Sequence, residues 1–193
     1  RALDAAPAEL AGWLERLARF SSDYLAHNAN GPAYHPVNTA PAPRPLLPTQ
    51  PSPFPEVLAR FEAQVLTQGI VPTSGRFMGY VPGGALPSAA IGDYLAALTN
   101  RYSGVYLACP GAVEIENATI GWLIEVVGYP ATAWGTLQSG GTLATLTAVV
   151  AARETRPCAD WSRGVIYLTE ECHVAVDKSL HVAGIGHLAR RMI

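Results

Sequence analysis

Between residues 138 and 193 the sequence alternates helical and extended patterning in an order that leaves few folds open. The loop Gln138-Ser139-Gly140-Gly141-Thr142 leads into a helical stretch from Leu143 to about Glu154. Residues 164–169, Gly-Val-Ile-Tyr-Leu-Thr, have the composition of a buried strand. Another helix follows His173 and reaches about Ala183, and residues 187–193 read as the next strand. Helix, strand, helix, strand predicts an α/β protein with parallel pairing. A parallel sheet needs cover on both faces and usually more strands than these. The expectation is therefore that the 193 residues are the front part of a larger domain, the alternative being a small α/β domain with a frayed last strand.

Upstream, Leu10, Trp13, Leu14, Leu17, Phe20 and Tyr24 recur at spacings of three and four, one face of an amphipathic helix. Asp4 lies just before it, and Pro7 suits a first turn, where a missing N–H costs nothing. The aromatic stripe needs a partner, in the same chain or in a second subunit. Residues 32–55 hold nine of the sixteen prolines and read as an extended strap. Pro55 opens a second helix with Val57, Leu58, Phe61, Val65 and Leu66 inward, and Gly69 is placed to end it. After the Gly/Pro-rich stretch 79–84, Ile91, Leu95 and Leu98 mark a third helix. A fourth is expected from about Val113 to Val127, with Gly128 as its stop.

Composition excludes several classes. With 49% apolar and 15% charged residues, the chain is too apolar and too sparsely charged for disorder throughout. A net charge of −2 gives no electrostatic reason to expect nucleic acid or an anionic membrane as partner. No apolar run approaches the ~20 residues of a spanning helix, and Asp4, Glu9, Glu15, Arg16 and Arg19 interrupt any leader-like segment. Cys109, Cys158 and Cys172 are odd in number and without CxxC spacing, which suits reduced thiols in a cytoplasmic protein and no metal site. Twelve of the thirteen basic residues are arginine, so Lys178 is the single candidate for any catalytic lysine.

Two places can carry chemistry. At Ser139-Gly140-Gly141-Thr142 the glycines allow unusual dihedrals and close approach of a ligand to the main chain. The following helix offers unpaired first-turn amides, and two hydroxyls stand beside them, together a phosphate cradle. Gly-Gly before a helix is also ordinary turn chemistry. The absence of GxxxxGK[ST] and GxGxxG spacing disfavours nucleotide hydrolysis and dinucleotide binding. His173 follows the 164–169 strand at the end where α/β sheets place ligands. Its imidazole can stack on a flat ring or move a proton; the plain alternative is a cap or packing residue. His27, His35, His181 and His187 have no partner at metal-ligand spacing.

Four blocks in register carry a family resemblance. They are Phe77-Met78-Gly79-Tyr80-Val81-Pro82, then Ala108-Cys109-Pro110-Gly111-Ala112-Val113-Glu114-Ile115-Glu116. Next come Gln138 to Leu146 with Ala151-Ala152-Arg153, and last Val165-Ile166-Tyr167-Leu168-Thr169 with His173-Val174-Ala175-Val176-Asp177-Lys178. In this order the chain resembles the pyridoxal-phosphate-dependent group II amino-acid decarboxylases, which include aromatic-amino-acid, histidine and glutamate decarboxylases. The likeness extends over nearly the whole chain.

The resemblance implies fold type I, aspartate-aminotransferase-like. Residues 1–76 would be an N-terminal helical segment with the strap, and residues 77–193 the first part of the large α/β domain that binds pyridoxal 5'-phosphate (PLP). It implies an intertwined homodimer, with the first helix lying across the partner subunit. Ser139, Gly140, Gly141 and Thr142 would hold the cofactor phosphate, and His173 would stack on the pyridine ring as the catalytic histidine. Tyr80, Val81 and Pro82 would line the substrate side-chain pocket, with Cys109 and Pro110 nearby. The implied reaction is PLP-dependent decarboxylation of an L-amino acid, aromatic favoured, to the amine and CO₂.

Two alternatives accompany that reading: an aldehyde synthase on the same scaffold, and a non-catalytic piece that folds or dimerises with a companion polypeptide. The chain departs from the family at Thr73-Ser74-Gly75-Arg76, where a histidine and proline usually stand. The family's Schiff-base lysine and pyridine-nitrogen aspartate lie downstream of these residues. Lys178 is no substitute, because five positions along a helix turn it about 140° from His173 at ~3.6 residues per turn.

Overall fold

The computed structural model describes residues 5–37, 47–80, 83–155 and 161–193. Asp4, Val81, Pro82, Cys158 and the strap prolines Pro41, Pro43 and Pro45 lie outside the described residues. The chain divides into two compact units, Arg1–Leu98 and Thr99–Ile193. The change of texture at Phe77 falls inside the first of them.

In the first unit α1 (Pro7–Asn28) begins with proline in its first turn, as the sequence predicts. Its aromatic stripe finds its partner in the same chain. Trp13 stacks on Phe54 with ring centroids 5.1 Å apart, and Phe20 meets Phe61 edge-on at 6.2 Å. Both partners belong to α2 (Phe54–Val65). Contrary to expectation, Val57, Phe61 and Val65 are exposed, and only Leu58 and Leu66 are half-buried. The α1 stripe covers one narrow strip of α2 and leaves the flanks open. Gly69 does not end α2, which stops at Val65; at φ +83 it opens a short strand instead. That strand, β2 (Gly69–Ile70), pairs antiparallel with β1 (Tyr34–His35), within the segment read as a strap. Helix α3 (Pro87–Thr99) follows, with Ile91 and Leu98 more than half exposed.

The second unit holds a short 3₁₀ turn at Tyr106–Ala108 and then α4 (Pro110–Val126). Gly128 at φ +73 stops this helix in a Schellman arrangement: its amide reaches the Glu125 carbonyl, and the Tyr129 amide reaches Ile124. Helix α5 (Gly141–Glu154), β3 (Val165–Leu168), α6 (Ala175–Val182) and β4 (Ala189–Met192) complete the unit. β3 and β4 pair in parallel from Val165–Ala189 to Leu168–Met192, so α6 is the crossover of a βαβ unit, as the alternation predicts. The order and type of these elements make the chain an α/β protein.

The core of this unit lies between the helices and one face of the strand pair. Leu180, Ala183, Ile185 and Leu188 are buried, with Leu146, Val150, Ile166 and Leu168 packed against them. A second Schellman arrangement at Gly184 (φ +75) folds Ile185 back onto Leu180. β3 is not the fully buried strand its composition predicts. Val165 and Tyr167 are 39% and 61% exposed, because the described helices cover only the face carrying Ile166 and Leu168.

Much apolar surface stays uncovered. The chain exposes 15551 Å². Two separate compact bodies, each of half its mass, would together expose only roughly 10,600 Å² by the scaling of folded surface with mass. None of the described helices is long and apolar enough to cross a membrane.

Among the described residues the hydroxyl of Ser179 is buried without a hydrogen-bond partner, on a residue only 1% exposed. An unpaired buried hydroxyl costs about 1–3 kcal/mol. Ser179→Ala is expected to raise Tm by roughly 2–4 °C for each kcal/mol recovered. Thermal unfolding of both proteins checks this, and a lower Tm in the variant would contradict it.

Candidate functional site

Helices α5 and α6 run side by side in the same direction. Near its C-terminal end α5 carries Arg153, whose guanidinium donates to the carbonyl of Ala183, the C-cap of α6, and whose other nitrogens hold Glu154. This joins the two C-terminal ends, and Leu146, Val149 and Val150 pack along α5 against the cluster of Leu180, Ala183, Ile185 and Leu188. Going back along the axes, Gly141 lies about 18 Å from Arg153 and Ala175 about 12 Å from Ala183, at ~1.5 Å per residue. Both N-terminal ends therefore point to one end of the helix layer. This is also the end at which β3 finishes, because the turn Thr169–Cys172 leads straight from β3 into His173. The sequence-predicted cradle and histidine share this edge, and Arg153, absent from the expected site, is what aligns them. Nothing local in the sequence marks that bond, which joins residues 30 positions apart.

At the cradle, Gly140 is the N-cap of α5 and no side chain caps the helix. The first amide to turn back, that of Ala144, reaches the Gly140 carbonyl at 3.0 Å. The amides of Gly141, Thr142 and Leu143 come before it, with the positive end of the helix dipole. The glycines are not there for unusual dihedrals. Gly140 is extended (φ 166, ψ 162), and neither it nor Gly141 takes a left-handed conformation. What they provide is room, since a Cβ on either would meet no protein atom within 4 Å. Ser139 and Thr142 are exposed beside them. Free amides, two hydroxyls and an open glycine face suit an anionic group such as a phosphate.

His173 stands outside α6, which begins at Ala175. Its Nδ1 accepts the Ala175 amide at 3.1 Å, so the imidazole does cap the helix. The cap does not remove it from chemistry. It fixes the ring, makes Nδ1 the acceptor and leaves Nε2 to carry the proton of the neutral form, on a side chain that remains exposed. Because His173 precedes the helix, the angle reckoned from it to Lys178 along a helix does not apply. Lys178 is exposed on α6. The ion pair of Asp177 with Arg190, 2.8 Å, ties α6 to β4.

Of the three expected substrate residues only Tyr80 is described. It is 85% exposed and has φ 61, an uncommon backbone conformation for a bulky side chain and a candidate functional constraint. Cys109, the N-cap of α4, is a free thiol. A cleft of about 510 Å³ opens between α4 and the loop after it, lined by Ile120, Ile124, Tyr129 and Trp134 among others. None of the residues lining it belongs to the cradle or is His173. Among the described residues no three of His, Cys, Asp and Glu gather as a metal site.

The fold defines a class: an α/β protein of fold type I. Residues 36–189 match the conserved domain of the pyridoxal-dependent decarboxylases, and the chain belongs to that family. The aromatic-L-amino-acid decarboxylase of Bacillus atrophaeus is 36% identical over 111 residues, which cover 58% of this chain and 23% of the relative. The solved structure of Oryza sativa TDC with PLP and tryptamine superposes with a TM-score of 0.83 at 21% identity, covering 100% of this chain and 45% of that one. The 4-hydroxyphenylacetaldehyde synthase of Rhodiola rosea gives 0.81 at 18% identity, covering 96% and 43%. The chain thus spans less than half the length of these proteins. The cofactor of the family is PLP.

The Cys109 thiol is held below the usual thiol range. The Ala112 backbone amide is the main cause, and the Arg101 guanidinium adds a hydrogen bond and its charge against an opposing effect of burial. A lowered value means more thiolate below the ordinary thiol pKa. Arg101→Gln is therefore expected to move the midpoint of the pH–rate profile for Cys109 alkylation upward. Mass-spectrometric mapping of alkylated Cys109 across pH checks this, and an unmoved midpoint would contradict it.

Proposed function

We propose that the complete protein removes the α-carboxylate of an L-amino acid, aromatic side chains favoured, to give the amine and CO₂, with PLP as cofactor. The observation that carries this reading is the shared edge: open-faced glycines and free α5 amides at the same end of the layer as the fixed, exposed ring of His173. Ser139, Gly140, Gly141 and Thr142 bind the cofactor phosphate through main-chain N–H groups and two hydroxyls. His173 presents its ring face to the pyridine, held at one angle by its bond from Ala175. Tyr80, with Val81 and Pro82 next to it in sequence, lines the side-chain pocket. When bound, PLP supplies the electron sink for the pair released as the bond to the carboxylate breaks. A proton then takes the place of CO₂ on the α-carbon.

The amine that anchors the cofactor comes from outside these residues. Lys178, the sole lysine, sits on α6 beyond the edge where His173 stands. The uncovered apolar surface supports a homodimer, a second copy supplying part of the missing cover.

The likeness to the Rhodiola rosea aldehyde synthase keeps a second outcome open on the same scaffold, decarboxylation coupled to oxidative deamination by O₂. Incubating the complete protein and PLP with aromatic L-amino acids is expected to release CO₂ and amine in equal amounts. Aldehyde, ammonia and peroxide would decide for the second reading, and no CO₂ across the panel would overturn both.

The cradle is tested separately. A Cβ at residue 140 meets no protein atom, so Gly140→Ala is expected to fold normally yet weaken PLP binding about tenfold or more by occupying the ligand's space. An unchanged Kd in a cofactor titration would remove the phosphate from this loop.

A further inference from the structure

The buried polar residues of the first unit gather at one place, which none of the roles above uses. Asn28 and Ser74 are 5% and 6% exposed, at the end of α1 and in the loop after β2. Asn28 Nδ2 donates to Thr73 Oγ1 at 3.0 Å, and the Tyr24 hydroxyl lies 3.0 Å from the same oxygen. Ser74 Oγ donates to the Gly31 carbonyl at 2.7 Å and accepts the Arg76 amide at 3.1 Å. Between them, Gly75 lies so close to α1 that a Cβ would stand 2.5 Å from the Ala29 carbonyl oxygen. One further amide bond, Phe77 to the Ser74 carbonyl at 3.0 Å, carries the restraint to the start of the next segment.

That segment is Phe77–Tyr80. Its outer residues are almost free of cover, Met78 95% and Tyr80 85% exposed, so its own packing does not place it. Its root does. A fully satisfied buried polar network is a poor source of net stability but sets one geometry. Here it sets the direction in which the chain leaves α1 and β2 towards Tyr80.

We propose that Thr73, Asn28 and Tyr24 are positioning residues for amino-acid recognition: by clamping the loop root to the end of α1, they hold Phe77–Tyr80 where the substrate side chain binds. The proposal rests on the reading of Tyr80 as a substrate-pocket residue. It adds that this pocket is held from α1 by side-chain hydroxyl and amide groups.

The test uses the complete protein with PLP. Thr73→Val removes the hydroxyl that both Asn28 and Tyr24 engage, and Thr73→Ser keeps it. Thr73→Val is expected to raise KM for the amino acid about tenfold while kcat and the Kd for PLP change less than about twofold, and Thr73→Ser to restore KM. Tyr24→Phe keeps the ring and loses one bond, so it is expected to shift KM the same way by about threefold; it decides the matter if Thr73→Val does not fold. Equal KM values in all forms, or loss of kcat and cofactor affinity in step with KM, would overturn the proposal. Trypsin gives a readout independent of turnover, because cleavage after the exposed Arg76 reports release of the loop root. Cleavage about tenfold faster in Thr73→Val than in wild type and Thr73→Ser supports the clamp, and equal rates overturn it. A wild-type protein that turns over no amino acid would defeat the proposed function and leave the clamp to be judged by trypsin.

Discussion

The parallel packing of α5 on α6, closed at its far end by the bond from Arg153 to the Ala183 carbonyl, is the constraint on which the candidate site depends. A helix presents its free amides at one end only. Two helices can concentrate that chemistry at one edge only if they point the same way. The βαβ crossover through α6 dictates its direction, while the shared apolar seam and the arginine impose the same direction on α5. Were α5 reversed, the glycine loop would lie at the opposite end of the layer from His173.

A consequence concerns what glycine contributes at residues 140 and 141. Conformational freedom is the usual explanation, and the backbone here does not call on it. Absence of a side chain is the operative property. A ligand oxygen reaches a main-chain nitrogen only when no Cβ stands in the approach, and the open space at both positions meets that condition. His173 follows the same economy. Capping and ring presentation are usually read as competing roles, yet the cap uses Nδ1 alone on a side chain that stays exposed.

The sequence made legible whatever depends on local pattern. Elements α1 to α6 appear in it, with Pro7 at a helix start and Gly128 at a stop, although the fourth helix begins at Pro110 and not near Val113 as its apolar spacing suggests. The loop and histidine are visible because Gly-Gly before a helix and a residue just after a strand are both local signals. The bond from Arg153 to Ala183 and that from Asn28 to Thr73 join residues 30 and 45 positions apart. They exist only once helices or loops have packed, and no period announces them. β3 shows a different limit. Val165, Ile166, Tyr167 and Leu168 state a capacity for burial on both faces, whereas actual burial depends on which neighbours arrive, and the described helices cover one face.

That distinction between capacity and cover bears on the whole surface. Ile91 and Leu98 on α3 and Trp122 and Val126 on α4 are all more than half exposed, on helices of 13 and 17 residues. Isolated helices of such length are marginal in water, and proteins stabilise them mainly through a packed apolar face. On α4 the covered face is the one carrying Ile120, and on α3 only Tyr94 is as much as half-buried. The cover of α4 bears on the candidate site, because α4 leads through the Gly128 stop into the loop that ends at Gly140. Whatever covers α4 also steadies the approach to the cradle.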